Sequence, residues 1–323
     1  MRFQPLKPWL DYPDQLTILK QRGLTVANEP RALHYLQSLG YYRLSGYFYP
    51  FRQFDTSTKP VSRKDDFIAG SQFDDVLKLY MFDKQLRILA FDALERIEMA
   101  IRVDIGYVLG RRNVNAQEQE ACLDAKFCSR FDLKRGMKES EYHQWLRKYD
   151  SLVQRAKKQD FIKHNLDKYG RLPVWVACEI LDFGALSRLY SGMRYKNREK
   201  IANKYRLTPE NLSQWLRSLN FIRNVVAHHG RLWNANIVER TDFAKSFPNN
   251  PLAQQLENNK AFGYFYIMAQ LLKTISPTST WQTRLKQHIE QNFLQPNNHA
   301  IKNNHAIKIE DFGYLASFQQ VNW

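Results

Sequence analysis

From Phe73 to about Leu109 the chain contains no proline, and its apolar residues recur at three- and four-residue steps. Phe73, Leu77, Tyr80, Ile88, Phe91, Leu94, Ile97, Ile101 and Ile105 carry the pattern. That spacing gathers them on one face of a 3.6-residue helix and predicts a single long amphipathic helix. Ser71-Gln72-Phe73-Asp74, just ahead of it, has the spacing of a capping box with Asp in place of the usual Glu.

Helix signals recur on both sides. Two short helices are expected within residues 12–40: one from about Pro13 to Arg22, stopped by Gly23, and one after the cap Asn28, with Pro30 in its first turn and Gly40 at its end. The aromatic run Tyr41–Phe48 and the polar stretch to Gly70 suit a β-hairpin or an irregular connector, and both stay open. Residues 111–138 are polar and broken, and a helix in one or two pieces follows from about Glu139 to Lys168. Beyond Gly170 and Pro173, helices are expected at Val174–Asp182 and Ala185–Met193. Thr208-Pro209 is a cap followed by proline at the first helical position, so a helix should run from there towards His229, with Gly230 as terminator. Two more are expected near 255–274 and 280–292.

No region shows the strand–helix alternation of a parallel α/β fold, so the expected class is mainly α. The expected organisation is a helical and connector region at 1–70, a helical domain at 71–293 and a tail at 294–323. The tail repeats one hexapeptide, Asn297–Lys302 and Asn303–Lys308, and two copies do not make a solenoid. His299 and His305 within it lack the carboxylate or cysteine a metal site needs.

Charge narrows the partners. Lys and Arg number 48 against 32 Asp and Glu, a formal net charge of +16. Such a field attracts polyanions. The positive residues are spread through periodic segments such as 194–200 rather than gathered in a tail, which points to a folded basic face suited to RNA. No apolar run approaches the ~20 residues of a membrane span. Three cysteines without metal-type spacing, and no signal peptide, fit a cytoplasmic protein with reduced thiols and no metal or other cofactor.

The segment Arg223-Asn224-Val225-Val226-Ala227-His228-His229 closes the predicted 209–229 helix. An arginine followed by histidine at this separation is a ribonuclease signature, yet chance alone gives about two such pairs in a chain of this composition. Asn224 and His228 are four apart and share a face, while Arg223 lies about 140° around the axis from His228. One helix therefore splays Arg and His to either side of a groove, which suits a site shared between two facing copies. The alternative is structural: Arg223 in a core salt bridge and His228 capping the helix end, where an imidazolium is favoured.

The run Arg223–Asn234 resembles the C-terminal signature of the Abi (abortive infection) family, in its AbiD/AbiF group. Tyr41–Tyr47 resembles the family's N-terminal motif. Glu95–Arg102 resembles its central helix, and Leu172–Trp175 through Phe183–Ser187 the segment before the catalytic helix. These matches stand in the family's order across roughly residues 12–240, and the duplicated hexapeptide is the clearest departure.

The resemblance implies a HEPN-like helical bundle with a small N-terminal helical appendage and a short connector. It also implies a homodimer and metal-independent cleavage of RNA that arrests growth during phage infection. By that implication the 2′-hydroxyl attacks the adjacent phosphate, leaving a 2′,3′-cyclic phosphate and a 5′-hydroxyl. His228 is then the general base or acid, Arg223 stabilises charge on phosphoryl oxygens, Asn224 orients the histidine or holds a phosphate oxygen, and His229 is the alternative acid. Glu98 and Arg102, with Glu95 a turn earlier, are either an i,i+4 ion pair and its neighbour or a supporting layer behind Arg223 and His228. Arg231, Lys196 and Arg198 are expected RNA contacts. An active ribonuclease also implies a restraint, such as an antitoxin RNA or protein. The competing reading is an RNA-binding or phage-sensing protein of the same fold that does not cut. Asp182-Phe183-Gly184 and Asp311-Phe312-Gly313 spell a kinase tripeptide, but no glycine-rich or catalytic loop accompanies either.

Overall fold

The computed structural model describes residues 6–57, 59–129, 139–294 and 307–319. The fold is mainly α, with 67% of residues helical, 15 α-helices and one two-stranded sheet among the described residues. Helices α1 (Tyr12–Gln21), α2 (Glu29–Leu39) and α3 (Tyr41–Phe48) lead into the hairpin β1 (Arg52–Asp55) and β2 (Ser62–Phe67), then the long α4 (Phe73–Gly110). Next come α5 (Ala125–Ser129), α6 (Glu141–Ala156), α7 (Asp160–Tyr169), α8 (Val174–Ile180), α9 (Phe183–Gly192) and α10 (Tyr195–Lys204). The series closes with α11 (Pro209–Ala227), the single-turn α12 (Phe243–Ser246) and α13 (Pro251–Gln254), α14 (Phe262–Ile275) and α15 (Trp281–Ile289).

The expected caps at Asn28 and Thr208 form. Asn28 Oδ1 accepts from the Arg31 N–H at 2.9 Å, and Thr208 Oγ1 from the Asn211 N–H at 3.1 Å. The aromatic run 41–48 is a helix, because Leu44, Tyr47 and Phe48 bury one face at helical spacing. The antiparallel hairpin occupies the polar stretch behind it, pairing Phe54 with Arg63 and Asp55 with Ser62. The repeated hexapeptide lies outside the described residues up to Ala306, and His299 and His305 with it.

The chain divides into two compact units, Met1–Leu86 with Thr283–Tyr314, and Arg87–Gln282 with Leu315–Trp323. In the first, Phe48 packs edge-on to Phe67 at 5.9 Å, and the Tyr47 hydroxyl donates to the buried Asp83 carboxylate. His288 is buried there, stacked 4.7 Å from Phe82, with Nε2 2.9 Å from the Phe82 carbonyl. In the second, every residue of α14 from Phe262 to Ala269 is buried, so this helix forms its centre. Gly263 makes room for the Phe243 ring, since a Cβ there would stand 2.4 Å from Phe243 Cζ. Three tryptophans of this unit are buried with their indole N–H groups satisfied: Trp145 donates to the Ala185 carbonyl, Trp215 to Ser246 Oγ and Trp281 to the Leu89 carbonyl. No helix among the described residues is long and apolar enough to cross a membrane.

Burial holds the His288 imidazole below its ordinary value of 6.5, against the opposing pull of the Phe82 carbonyl. The unfolded chain therefore takes up this proton at higher pH than the folded chain. The resulting stability is present above about pH 6.5 and is lost as pH falls through the folded value. Thermal midpoints measured from pH 7 down to pH 5 are expected to fall more steeply in the native protein than in His288→Gln. Parallel curves would refute this.

Candidate active site

The site is built outward from α4. Glu98 is buried on that helix, and Arg102, one turn later, donates to it at 2.5 Å. The same guanidinium donates to the Leu181 carbonyl at 2.9 Å, tying α4 to the end of α8. Glycine makes this approach possible. A Cβ at Gly106 would stand 3.1 Å from Trp175 Cα, and one at Gly110 3.2 Å from the Trp175 ring, so α8 can rest on α4 only where both positions lack side chains.

Arg223, on α11, reaches Glu98 from the other side, with Nε 3.9 Å from Oε2. Glu98 is thus flanked by two guanidinium groups. Burial nevertheless prevails and raises its carboxyl above the ordinary value, against the pull of Arg102 and then Arg223. Asp182 is affected by Arg223 as well. Burial pushes its carboxyl up, but the Lys148 ammonium, the Ala185 N–H and the field of Arg223 outweigh that and hold it below the usual range. Arg223 keeps a third of its side chain exposed, 33%, against 11% for Glu98. It is therefore a positioned cation with a face left for a ligand.

At the end of α11 the backbone forms a Schellman turn. The Gly230 N–H bonds the Val225 carbonyl at 2.7 Å and the His229 N–H bonds the Val226 carbonyl at 3.0 Å. His228 is the C-cap residue, and His229, not Gly230, takes the left-handed position, with φ 55°. The expected stop was Gly230. Its own space is restricted, since a Cβ there would meet Val225 at 3.1 Å. Asn224, His228 and His229 are exposed.

The structure therefore brings together Arg223, Glu98 and Arg102. Glu95 is exposed a turn earlier and adds only a repulsive field at Glu98. No hydrogen bond or ion pair joins Arg223 to His228, in keeping with their angular separation on one helix. Features of both sequence readings coexist: Arg223 has a carboxylate partner and His228 caps the helix, yet the first stays partly open and the second exposed. Arg231 follows the turn half-buried, Lys196 is exposed on α10, and Arg198 lies 3.9 Å from Glu210. Among the described residues, no group of three or more His, Cys, Asp or Glu is placed to hold a metal ion.

Sequence reasoning missed Asp182 and Lys148. Asp182 caps α9 by accepting from the Ala185 N–H at 2.8 Å and pairs with Lys148 at 2.8 Å, so the kinase-like tripeptide is a helix start. The usable signal was an Asp three residues before Ala185 at the head of an apolar run. Also missed was a groove of about 1170 Å³ walled by α6, α9 and α11, whose lining includes Lys148, Arg188, Arg198, Ser213, Arg217 and Asn220.

The fold and site define a mainly helical protein that presents an arginine braced by a buried carboxylate and a histidine at the end of the same helix. Residues 34–234, more than half of the chain, match the family model described as Abi-like protein, and the chain belongs to that family. Membership suggests a part in abortive infection, the bacterial defence against phage. Searches of curated proteins and of solved structures return no match.

A β-carbon in the left-handed region costs roughly 1–2 kcal/mol, part of which glycine returns by loosening the unfolded chain. His229→Gly is expected to raise stability by about 0.5–1 kcal/mol, read as a higher midpoint in urea unfolding. A lower midpoint would show that the imidazole contributes more than its backbone costs.

Proposed function

We propose that this protein is a metal-independent endoribonuclease of phage defence, with Arg223 and His228 as its catalytic pair. The observation that carries the reading is the position of Arg223: held by Glu98 at 3.9 Å, it stays partly exposed on the helix that ends in an exposed His228. Family membership and the net charge of +16 support the same reading.

In this mechanism an imidazole removes the proton from an RNA 2′-hydroxyl, and the freed oxygen attacks the adjacent phosphorus. The bond to the 5′-oxygen breaks, that oxygen takes a proton, and the products are a 2′,3′-cyclic phosphate and a 5′-hydroxyl. Arg223 stabilises the charge gathering on the non-bridging oxygens, where a planar guanidinium offers two parallel donors. Glu98 and Arg102 position Arg223 rather than touch RNA. Asn224, one turn before His228, orients the imidazole or a phosphate oxygen. A homodimer would place the Arg223 of one copy opposite the His228 of the other, which resolves their separation on a single helix. His229 is the alternative acid. An activity of this kind needs restraint in the cell, through an antitoxin RNA or protein or through an inactive assembly.

The test is incubation of the purified protein with RNA in EDTA, followed by mapping of the cut ends. Cyclic phosphate ends are expected, and His228→Ala should lower the rate by about 10²–10⁴-fold while RNA binding persists. Arg223→Lys should lose most activity because a point charge does not replace the fork. Cleavage unchanged in His228→Ala would remove the histidine from the mechanism. RNA binding without any cutting would favour a sensor or RNA-binding protein of the same fold.

A further inference from the structure

The groove between α6, α9 and α11 has no part in the chemistry above, and its lining has an uneven chemistry. Most of its charges compensate one another. Lys148 pairs with Asp182 at 2.8 Å, Arg217 with Glu239 at 3.1 Å and Lys245 with Asp242 at 3.2 Å. Arg188 differs: it is exposed on α9, lines the groove and has no carboxylate partner among the described residues. Two further donors on the wall lack partners. Ser213 Oγ and Arg198 Nε are buried and form no hydrogen bond among the described residues.

Buried donors left without acceptors are costly, and few occur in native folds. A guanidinium, a second guanidinium's Nε and a hydroxyl, all on one groove, together call for a ligand rich in acceptors and negative charge. The volume, about 1170 Å³, exceeds the roughly 300–1,000 Å³ of most small-ligand sites and has room for a short stretch of single strand.

The groove also has a direction. Ser213, Arg217 and Asn220 line it from α11 at steps of four and three residues. Asn224 continues that stripe four residues further on, and His228 follows after four more. From Ser213 to His228 the helix rises about 22 Å at 1.5 Å per residue. One helix face thus joins the donor-rich groove to the exposed histidine.

We infer that this groove binds the sugar–phosphate backbone of single-stranded RNA, with Arg188 on phosphate oxygens and the covered donors of Arg198 and Ser213 turning outward to join it, and leads the strand along α11 towards His228. The inference rests on RNA being the ligand of the proposed function, but it concerns binding and not cleavage. Its contacts go to the backbone, so it predicts affinity without base preference.

The test is fluorescence anisotropy with a labelled single-stranded RNA 20-mer in EDTA across a salt series, using Arg188→Glu, Ser213→Ala and the charge-matched control Arg155→Glu. Arg155 is exposed on α6 outside the groove lining, so it isolates the effect of net charge. Circular dichroism verifies folding of each variant. Arg188→Glu is expected to weaken binding at least 10-fold beyond the control and to lower the slope of log affinity against log salt by about 0.7. Ser213→Ala should weaken it about threefold. RNA binding with the same affinity and slope in Arg188→Glu and Arg155→Glu would overturn the inference and leave the ribonuclease reading standing. Groove-dependent binding without cleavage would support the inference while the ribonuclease reading fails. Equal displacement of the RNA by a glutamate-rich peptide of matched charge would assign the groove to an acidic protein and overturn the inference, as would no RNA binding at all.

Discussion

A carboxylate buried inside a helix must be met by positive charge, and Glu98 meets that demand from two directions. Arg102 answers within α4 and also holds the Leu181 carbonyl; Arg223 answers from α11. Three elements distant in sequence are thereby fixed around one ion. The pair is buried enough that losing a partner would strand a charge, a loss of about 3–5 kcal/mol where it has been measured. Arg223 inherits its aim from this arrangement. The field of the same guanidinium reaches Asp182 at the head of α9 and helps to hold its carboxyl low.

Glycine and histidine make the geometry possible in opposite ways. Gly106 and Gly110 admit Trp175 and so let α8 settle on α4, which brings the Leu181 carbonyl within reach of Arg102. At the far end of α11 a histidine occupies the left-handed position that glycine fills most easily. Backbone strain of that kind persists where surrounding structure over-determines it, and it gathers at functional sites.

Much of the fold was legible because its signals are local. The cap at Asn28, the Thr208-Pro209 start and the apolar stripe of α4 each specify an element from a few neighbouring residues. The helix 41–48 was hidden because a run of aromatics around Gly46 favours strand or loop by propensity, and only tertiary burial of Leu44, Tyr47 and Phe48 settles it. At the site, Arg223 and His228 carry a spacing that sequence displays, whereas the meeting of Arg223 with Glu98 spans more than a hundred residues and obeys no local rule. The groove was invisible for the same reason: Arg188 and Ser213 belong to different helices, and nothing in either segment announces that they share a wall.

The Schellman turn at Val225–Gly230 has one further consequence. It fixes the direction of the His228 Cα–Cβ bond through the main chain, and among the described residues no side-chain hydrogen bond holds the exposed ring. The imidazole is therefore anchored at its root and free at its tip, able to swing about two torsions while its pivot stays put. Chemistry at such a group would be governed by whatever arrives to restrict that swing.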